Sequence, residues 1–311
     1  MVIDKKRVKQ NKTIDKIFKY LFMAMAILSA SFIVIIVLFV FSKGISPFLP
    51  GYEHGQVDFI SFICGSIYRQ DEGIYGVGFI IINTLISAFF ALILSFPISV
   101  LTALFITKIA PKALSVIMQN VTELLASVPS IVYGVFASGV ITKMVNNLAT
   151  SFGVSTYGGS SLLAVVLLLA IMIFPTLTSM SITAINAVDK DLENASLALG
   201  ATRTQTNFKV VLISAKSGIF AGAILGLGRA FGEATAVAMV AGNKMFGPTF
   251  NPFDITRTLT STMLAGLKET TGLDYDIRFS VGLVLIVVIF LSNYVLNLVK
   301  KRVGNNAWVV K

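Results

Sequence analysis

Charge is scarce in this chain. Only 13% of its 311 residues are Asp, Glu, Lys or Arg, about half the share of an ordinary soluble domain. Cysteine and histidine are scarcer still. The single Cys64 excludes a disulfide within the chain, and the single His54, set in a polar loop, excludes a histidine-cluster metal site. No G-x-x-x-x-G-K-[ST] phosphate loop occurs, so the chain carries no visible ATP site of its own. The apolar stretches hold no nucleophile–base set and no metal-ligand spacing, which argues against an intramembrane enzyme.

Apolar length fills the place of charge. Hydrophobic residues make up 55% of the chain and mean hydropathy is +0.84. An integral membrane protein follows, all-α and polytopic, because helices keep their backbone hydrogen bonds internal in lipid. Hydropathy places about six transmembrane helices, at residues 20–41, 77–106, 121–141, 162–184, 218–243 and 281–299. The first is too long for the core of a signal peptide and reads as a retained anchor. Residues 42–76 then form an extracytoplasmic loop, residues 77–299 a five-helix core, and residues 143–160 and 242–278 loops within it.

The net charge of +10 does not point to nucleic acid, because of where it lies. Lys5, Lys6, Arg7, Lys9, Lys12, Lys16 and Lys19 crowd residues 1–19, and Lys300, Lys301, Arg302 and Lys311 crowd residues 300–311. With six spans and both termini cytoplasmic, seventeen basic residues fall on the inner side and seven on the outer, the sign that the positive-inside rule requires.

The fifth span is the most informative. Read as one helix of ~23 residues it is ~34 Å long, and Arg229 lies near its middle, where a charge is costly. Glu233 is four residues on, so the two fall on one helix face and can pair. Gly218, Gly222 and Gly226, then Gly228 and Gly232, recur at the four-residue spacing that lets helices approach closely. Two readings stand: a substrate or ion path, and an ion pair that merely fixes helix register. Glu123, in the third span, is a candidate further partner of Arg229. In the same span Pro129, flanked by Ser127 and Ser130, allows a break or close packing.

One loop is too patterned to be filler. Within residues 185–217, Leu192, Ala195, Ser196 and Leu199 share a helical face, Gly200 is a plausible stop, and Phe208, Val211 and Leu212 give the next piece its own stripe. Spacing alone leaves open a docking element for a partner and a helix lying on lipid.

The motifs add a resemblance. Asn194-Ala195-Ser196, Gly200 and Val210-Val211-Leu212-Ile213 occupy the positions of the EAA loop of ABC-importer permeases, with Asn for its glutamate, Ser for its second alanine, Val for its isoleucine and Ile for its proline. Gly226-Leu-Gly-Arg229-Ala-Phe-Gly-Glu233 and Glu123-Leu-Leu-Ala-Ser-Val-Pro129 resemble the PstC-type permease of the phosphate ABC importer, in the expected order and over most of the chain. The resemblance implies a MetI-like permease bundle in a prokaryotic plasma membrane. It implies four partners besides the bilayer: a PstA-type second permease, two copies of a PstB-type ATPase subunit that binds ATP and Mg, a PstS-type phosphate-binding protein, and phosphate itself. No cofactor is then expected in this chain. Asn194, Ala195, Ser196 and Gly200 would couple to the ATPase, and Arg229, Glu233 and Glu123 would line the substrate path. Sulfate or molybdate as cargo, and a non-transporting sensor or scaffold role, remain alternatives.

Overall fold

A computed structural model describes residues 5–305; Lys311 of the basic C-terminus lies outside them. Helix α1 (Lys5–Ile45) is followed by a short helix α2 (Phe59–Cys64) and a two-stranded antiparallel hairpin, β1 (Tyr68–Arg69) and β2 (Ile74–Tyr75). Then come α3 (Gly78–Leu104), α4 (Lys112–Ser127), α5 (Ser130–Phe136), α6 (Thr142–Ser151), α7 (Leu162–Asn186), α8 (Lys190–Ala198), α9 (Arg203–Thr206) and α10 (Leu212–Gly232). Two short helices, α11 (Thr235–Ala238) and α12 (Leu259–Leu264), precede the long α13 (Leu273–Asn305). Wider π-helical turns extend α3 over Phe105–Ile109, join α5 to α6 over Ala137–Ile141, and join α9 to α10 over Asn207–Val211.

Six helical stretches among the described residues are long and apolar enough to cross a membrane: Ile14–Phe48, Gly78–Ile109, Ser130–Ser151, Leu162–Asn186, Arg203–Gly232 and Leu273–Arg302. The number agrees with the sequence reading, but the positions of the third, fifth and sixth do not; the sixth begins at Leu273 rather than 281, inside the segment 242–278 expected to be loop. The third stretch begins at Ser130, not 121. Val128 and Pro129 are extended, as a proline and the residue before it favour, so α4 is a separate helix. Hydropathy averages across that break. At its far end the stretch continues to Ser151, into the residues 143–160 expected to be loop, because Thr142, Val145 and Ala149 form a buried stripe.

The fifth stretch is displaced the other way. It starts at Arg203, where Thr202 and Gln205 close a reciprocal capping box, and ends at Gly232 rather than 243.

Helix α7 is the centre of the bundle, packed between α3 and α10. Close approach of α10 explains three of its glycines. A Cβ on Gly218 would lie 2.6 Å from Ala184 Cβ, one on Gly222 2.9 Å from Met180 Cβ, and one on Gly226 3.2 Å from Leu177. Helices in lipid gain dispersion contacts this way, since burial from lipid tails gives little drive. By contrast, a Cβ on Gly228 or Gly232 would meet no atom within 4 Å, so the second glycine pair makes no close contact within the described chain. Helix α1 stands at the margin along α13, where Ser280 Oγ donates to Gly44 O at 2.6 Å.

One end of the bundle is closed by the hairpin and the loop after α11. Tyr68 N–H donates to Met245 O at 2.8 Å and Gly247 N–H to Ser66 O at 2.7 Å. Two buried polar side chains of α3 fasten the same loop: Asn83 Oδ1 accepts from Thr249 N–H at 2.7 Å and Thr84 Oγ1 from Leu259 N–H at 3.0 Å. The other end carries α8.

Candidate functional site

Arg229 occupies the last turn of α10, half-buried. Its Nη1 donates to Thr176 Oγ1 on α7 at 2.9 Å. A guanidinium offers five donors, and this is its one hydrogen bond to the described residues. Thr176 directly follows Pro175, which interrupts the backbone ladder of α7. The sequence shows both residues inside an apolar span, and a hydroxyl beside a helix-interior proline is the signal that could have singled Thr176 out.

The expected Arg229–Glu233 ion pair is absent. Four-residue spacing brings two side chains together only on a continuous helix, and α10 stops between them. Glu233 is extended, with φ −77° and ψ 113°. Its Oε1 accepts from Ala236 N–H at 2.9 Å, capping α11, and its carbonyl accepts from Thr260 Oγ1 at 2.8 Å. Glu123 does not join Arg229 either. It is exposed on α4, before the break at Pro129. The ion pairs among the described residues are Lys43–Asp276, Arg69–Asp71, Arg69–Glu72, Lys108–Glu193 and Lys244–Asp254.

The segment after α7 is built as a rigid bracket. Asp189 caps α8, its Oδ1 accepting from Asp191 N–H at 2.9 Å. Gly200 ends it in the left-handed region at φ +86°. There Gly200 N–H donates to Leu197 O at 3.0 Å and Ala201 N–H to Ser196 O at 3.2 Å, the paired bonds of a Schellman stop. One face of α8 is tied to the bundle. Glu193 pairs with Lys108 on the π-helical turn after α3, and the hydroxyls of Ser196 and Thr206 lie 2.9 Å apart. The opposite face is free: Leu192, Asn194 and Ala195 are exposed, and Leu199 is 89% exposed. Ser196 therefore belongs to the inner face, not with Leu192, Ala195 and Leu199. Sequence reasoning missed the Lys108–Glu193 tie, whose partners lie 85 positions apart.

Residues 81–305 match the family described as the binding-protein-dependent transport system inner membrane component. Among curated proteins, a probable ABC transporter permease of Bacillus subtilis, YqgH, is 34% identical over 91% of this chain and 90% of its own. The phosphate transport system permease protein PstC of Pasteurella multocida is 30% identical over 78% of this chain and 82% of its own. Among solved structures, a bacterial alginate ABC transporter aligns with a TM-score of 0.65 at 15% identity, covering 96% of this chain and 98% of its own. The MetNI methionine ABC transporter aligns with a TM-score of 0.51 at 21% identity, covering 73% of this chain and 94% of its own. At those identities the structural likeness speaks for the fold alone.

Proposed function

The chain belongs to the family of binding-protein-dependent transport system inner membrane components, and from that premise we propose that it is the permease subunit through which inorganic phosphate is imported. As a member of that family it is a multi-pass membrane protein and the permease subunit of an ABC importer, whose relatives are transport permeases rather than enzymes. The cargo rests on two supports: PstC relatives at about 30% identity over most of the chain, and the chemistry of Arg229.

That chemistry is the observation that carries the reading. A phosphate entering a low-dielectric bundle needs positive charge, and guanidinium presents a planar fork matched to its oxygens. Arg229 spends one donor on Thr176 and keeps the rest for a ligand. The C-terminal end of α10, negative in its dipole, offsets part of the cost of holding the cation there. Glu233 is engaged at Ala236 and leaves Arg229 free. Release of Glu233 from that cap toward the guanidinium would neutralise Arg229 and expel the anion, so the two residues form a switch rather than a standing pair.

The remaining assignments complete the scheme. The basic ends and α8 face the cytoplasm. The exposed apolar side of α8 seats in an ATPase subunit of the PstB type, which binds ATP and Mg. A second permease of the PstA type completes the path, and a phosphate-binding protein delivers cargo at the hairpin end. The Bacillus relative carries only a general permease name, which keeps a different oxyanion as the second reading.

The test is phosphate uptake in cells lacking the gene, complemented with the wild type or Arg229→Gln, with complex assembly checked in both. Uptake restored by the wild type and lost in the assembled variant supports the reading. Wild type without effect on phosphate uptake refutes the cargo, and an unassembled variant returns Arg229 to a structural role.

A further inference from the structure

The break between α4 and α5 frees a backbone carbonyl, and a tyrosine from across the break takes it up. In an unbroken helix Leu125 O would accept from the N–H of residue 129. Pro129 has none, and the Val128 N–H that turns back to Leu125 O does so only at 3.4 Å. Tyr133 OH donates to the same carbonyl at 2.8 Å. Ser127 Oγ likewise donates to Leu124 O at 2.8 Å. Side-chain hydroxyls are among the groups that complete such carbonyls at membrane depth, where water is scarce. The two bonds differ in reach. That of Ser127 stays within α4, whereas that of Tyr133 joins α5 to α4.

Helix α5 is in turn seated on α11. A Cβ on Gly134 would lie 2.9 Å from Ala236 Cα and 2.7 Å from Met239 Sδ, so the two backbones approach too closely for a side chain at position 134. Ala236 is the residue whose N–H holds the carboxylate of Glu233. Tyr133 and Leu125 also line one hollow with Phe174 of α7, two residues before the Thr176 that anchors Arg229. The charge of Arg229 reaches the Tyr133 phenol. Tyr133, 7% exposed, thus stands between two interruptions, that of α4 and α5 at Pro129 and that of α10 and α11 at Glu233.

We propose that Tyr133 is a positioning residue of the transport path: it holds α5 at the angle that keeps Glu233 on its α11 cap and Arg229 free for the anion. This rests on the reading of Arg229 and Glu233 given above and names the residue that sets their state. While Tyr133 bonds Leu125 O, α4 and α5 keep one angle about Pro129. When that bond opens, the angle changes, Gly134 shifts against Ala236, and the N–H that holds the Glu233 carboxylate moves with it. Glu233 is then released toward Arg229. Tyr133 touches no anion in this scheme and acts through α5 and α11.

Uptake of radiolabelled phosphate and, separately, sulfate in cells lacking the gene tests this, with variants compared on whichever anion the wild type imports. Tyr133→Phe removes one hydroxyl and keeps the ring, so the complex assembles while uptake falls about tenfold. Adding Pro129→Ala separates positioning from mere completion of the carbonyl. Alanine returns an N–H to Leu125 O and lets α4 and α5 run on as one helix, so the double variant regains thermal stability and still fails to import. Uptake restored together with stability, or uptake unchanged in Tyr133→Phe, overturns the proposal, and the double variant decides where Tyr133→Phe alone fails to assemble. Arg229→Gln, run alongside, reads the path itself: import at the wild-type rate there refutes the role of Arg229, whereas full import in Tyr133→Phe refutes the positioning role alone. A second readout needs no cargo. Spin labels on Val116→Cys and Met144→Cys, both exposed positions, in a Cys64→Ser background report the angle across the break. Tyr133→Phe broadens their distance distribution, and an unchanged distribution overturns the proposal.

Discussion

The guanidinium of Arg229 crosses from α10 to α7 and donates to the hydroxyl of Thr176 at 2.9 Å. That contact, and not a carboxylate, fixes the orientation of the charge. Thr176→Val keeps the shape and removes the acceptor. A hydrogen bond to a charged group is worth about 1.5–3 kcal/mol, so the rate of phosphate uptake should fall at least about tenfold while the subunit still assembles. Thr176→Ser restores the hydroxyl and should restore uptake. Uptake unchanged in Thr176→Val would show that the arginine needs no anchor on α7.

The exposed face of α8 separates folding from coupling. Leu199 is 89% exposed, so Leu199→Asp should alter subunit stability by no more than about 0.5 kcal/mol. Its effect should fall on a partner. Co-purification of the ATPase subunit with Leu199→Asp, or with Ala195→Trp, should drop sharply against wild type. Gly200→Val differs, because a branched side chain at φ +86° strains the stop by about 1–2 kcal/mol and reorients α8 itself. It should loosen ATPase docking without adding bulk to the docking face. Intact co-purification in all three would remove α8 from the interface.

What the sequence reveals and conceals divides along physical lines. Span number is legible because hydropathy averages over a whole helix, and the end of α8 is legible because Gly200 carries its own conformational signal. The end of α10 is not. Residues 234–241 stay apolar, so a hydropathy window runs through them. They are apolar because Val237, Val240 and Ala241 pack into the protein core, while the helix is stopped by Glu233 and its bond to Thr260, 27 residues away. Distance in sequence hides the rest too. Arg278 meets Gln70 across 208 positions and Asn83 meets Thr249 across 166, and no local spacing encodes either.

The two glycine series should respond differently to substitution. Gly222→Leu drives its side chain into Met180, whose Cβ is already 2.9 Å from a modest Cβ, and overpacking of this kind costs about 1–3 kcal/mol. The subunit should accumulate poorly in membranes. Gly228→Ala meets nothing within 4 Å, and alanine favours helix over glycine by about 1 kcal/mol, so abundance should hold. Western blots of membrane fractions give both readouts. Normal abundance for Gly222→Leu would mean that α7 and α10 do not pack as closely as the glycines imply.

Lys108 and Glu193 link the end of α3 to α8, with side chains only 18% and 19% exposed. Lys108 sits on a π-helical turn and Glu193 on the inner face of α8. Removing one partner leaves the other charge poorly solvated, which is worse than removing both. A double-mutant cycle of Lys108→Met and Glu193→Met should therefore show a coupling energy of about 0.5–3 kcal/mol, with the double variant more stable than the sum of the singles. The same variants read out transmission. If α8 moves with an ATPase subunit, this pair carries the movement to α3, and the amount of phosphate imported per ATP hydrolysed should fall in each single variant. The exchange Lys108→Glu with Glu193→Lys should recover part of it. A ratio unchanged in the singles, with stability lowered, would confine the pair to holding the bracket in place.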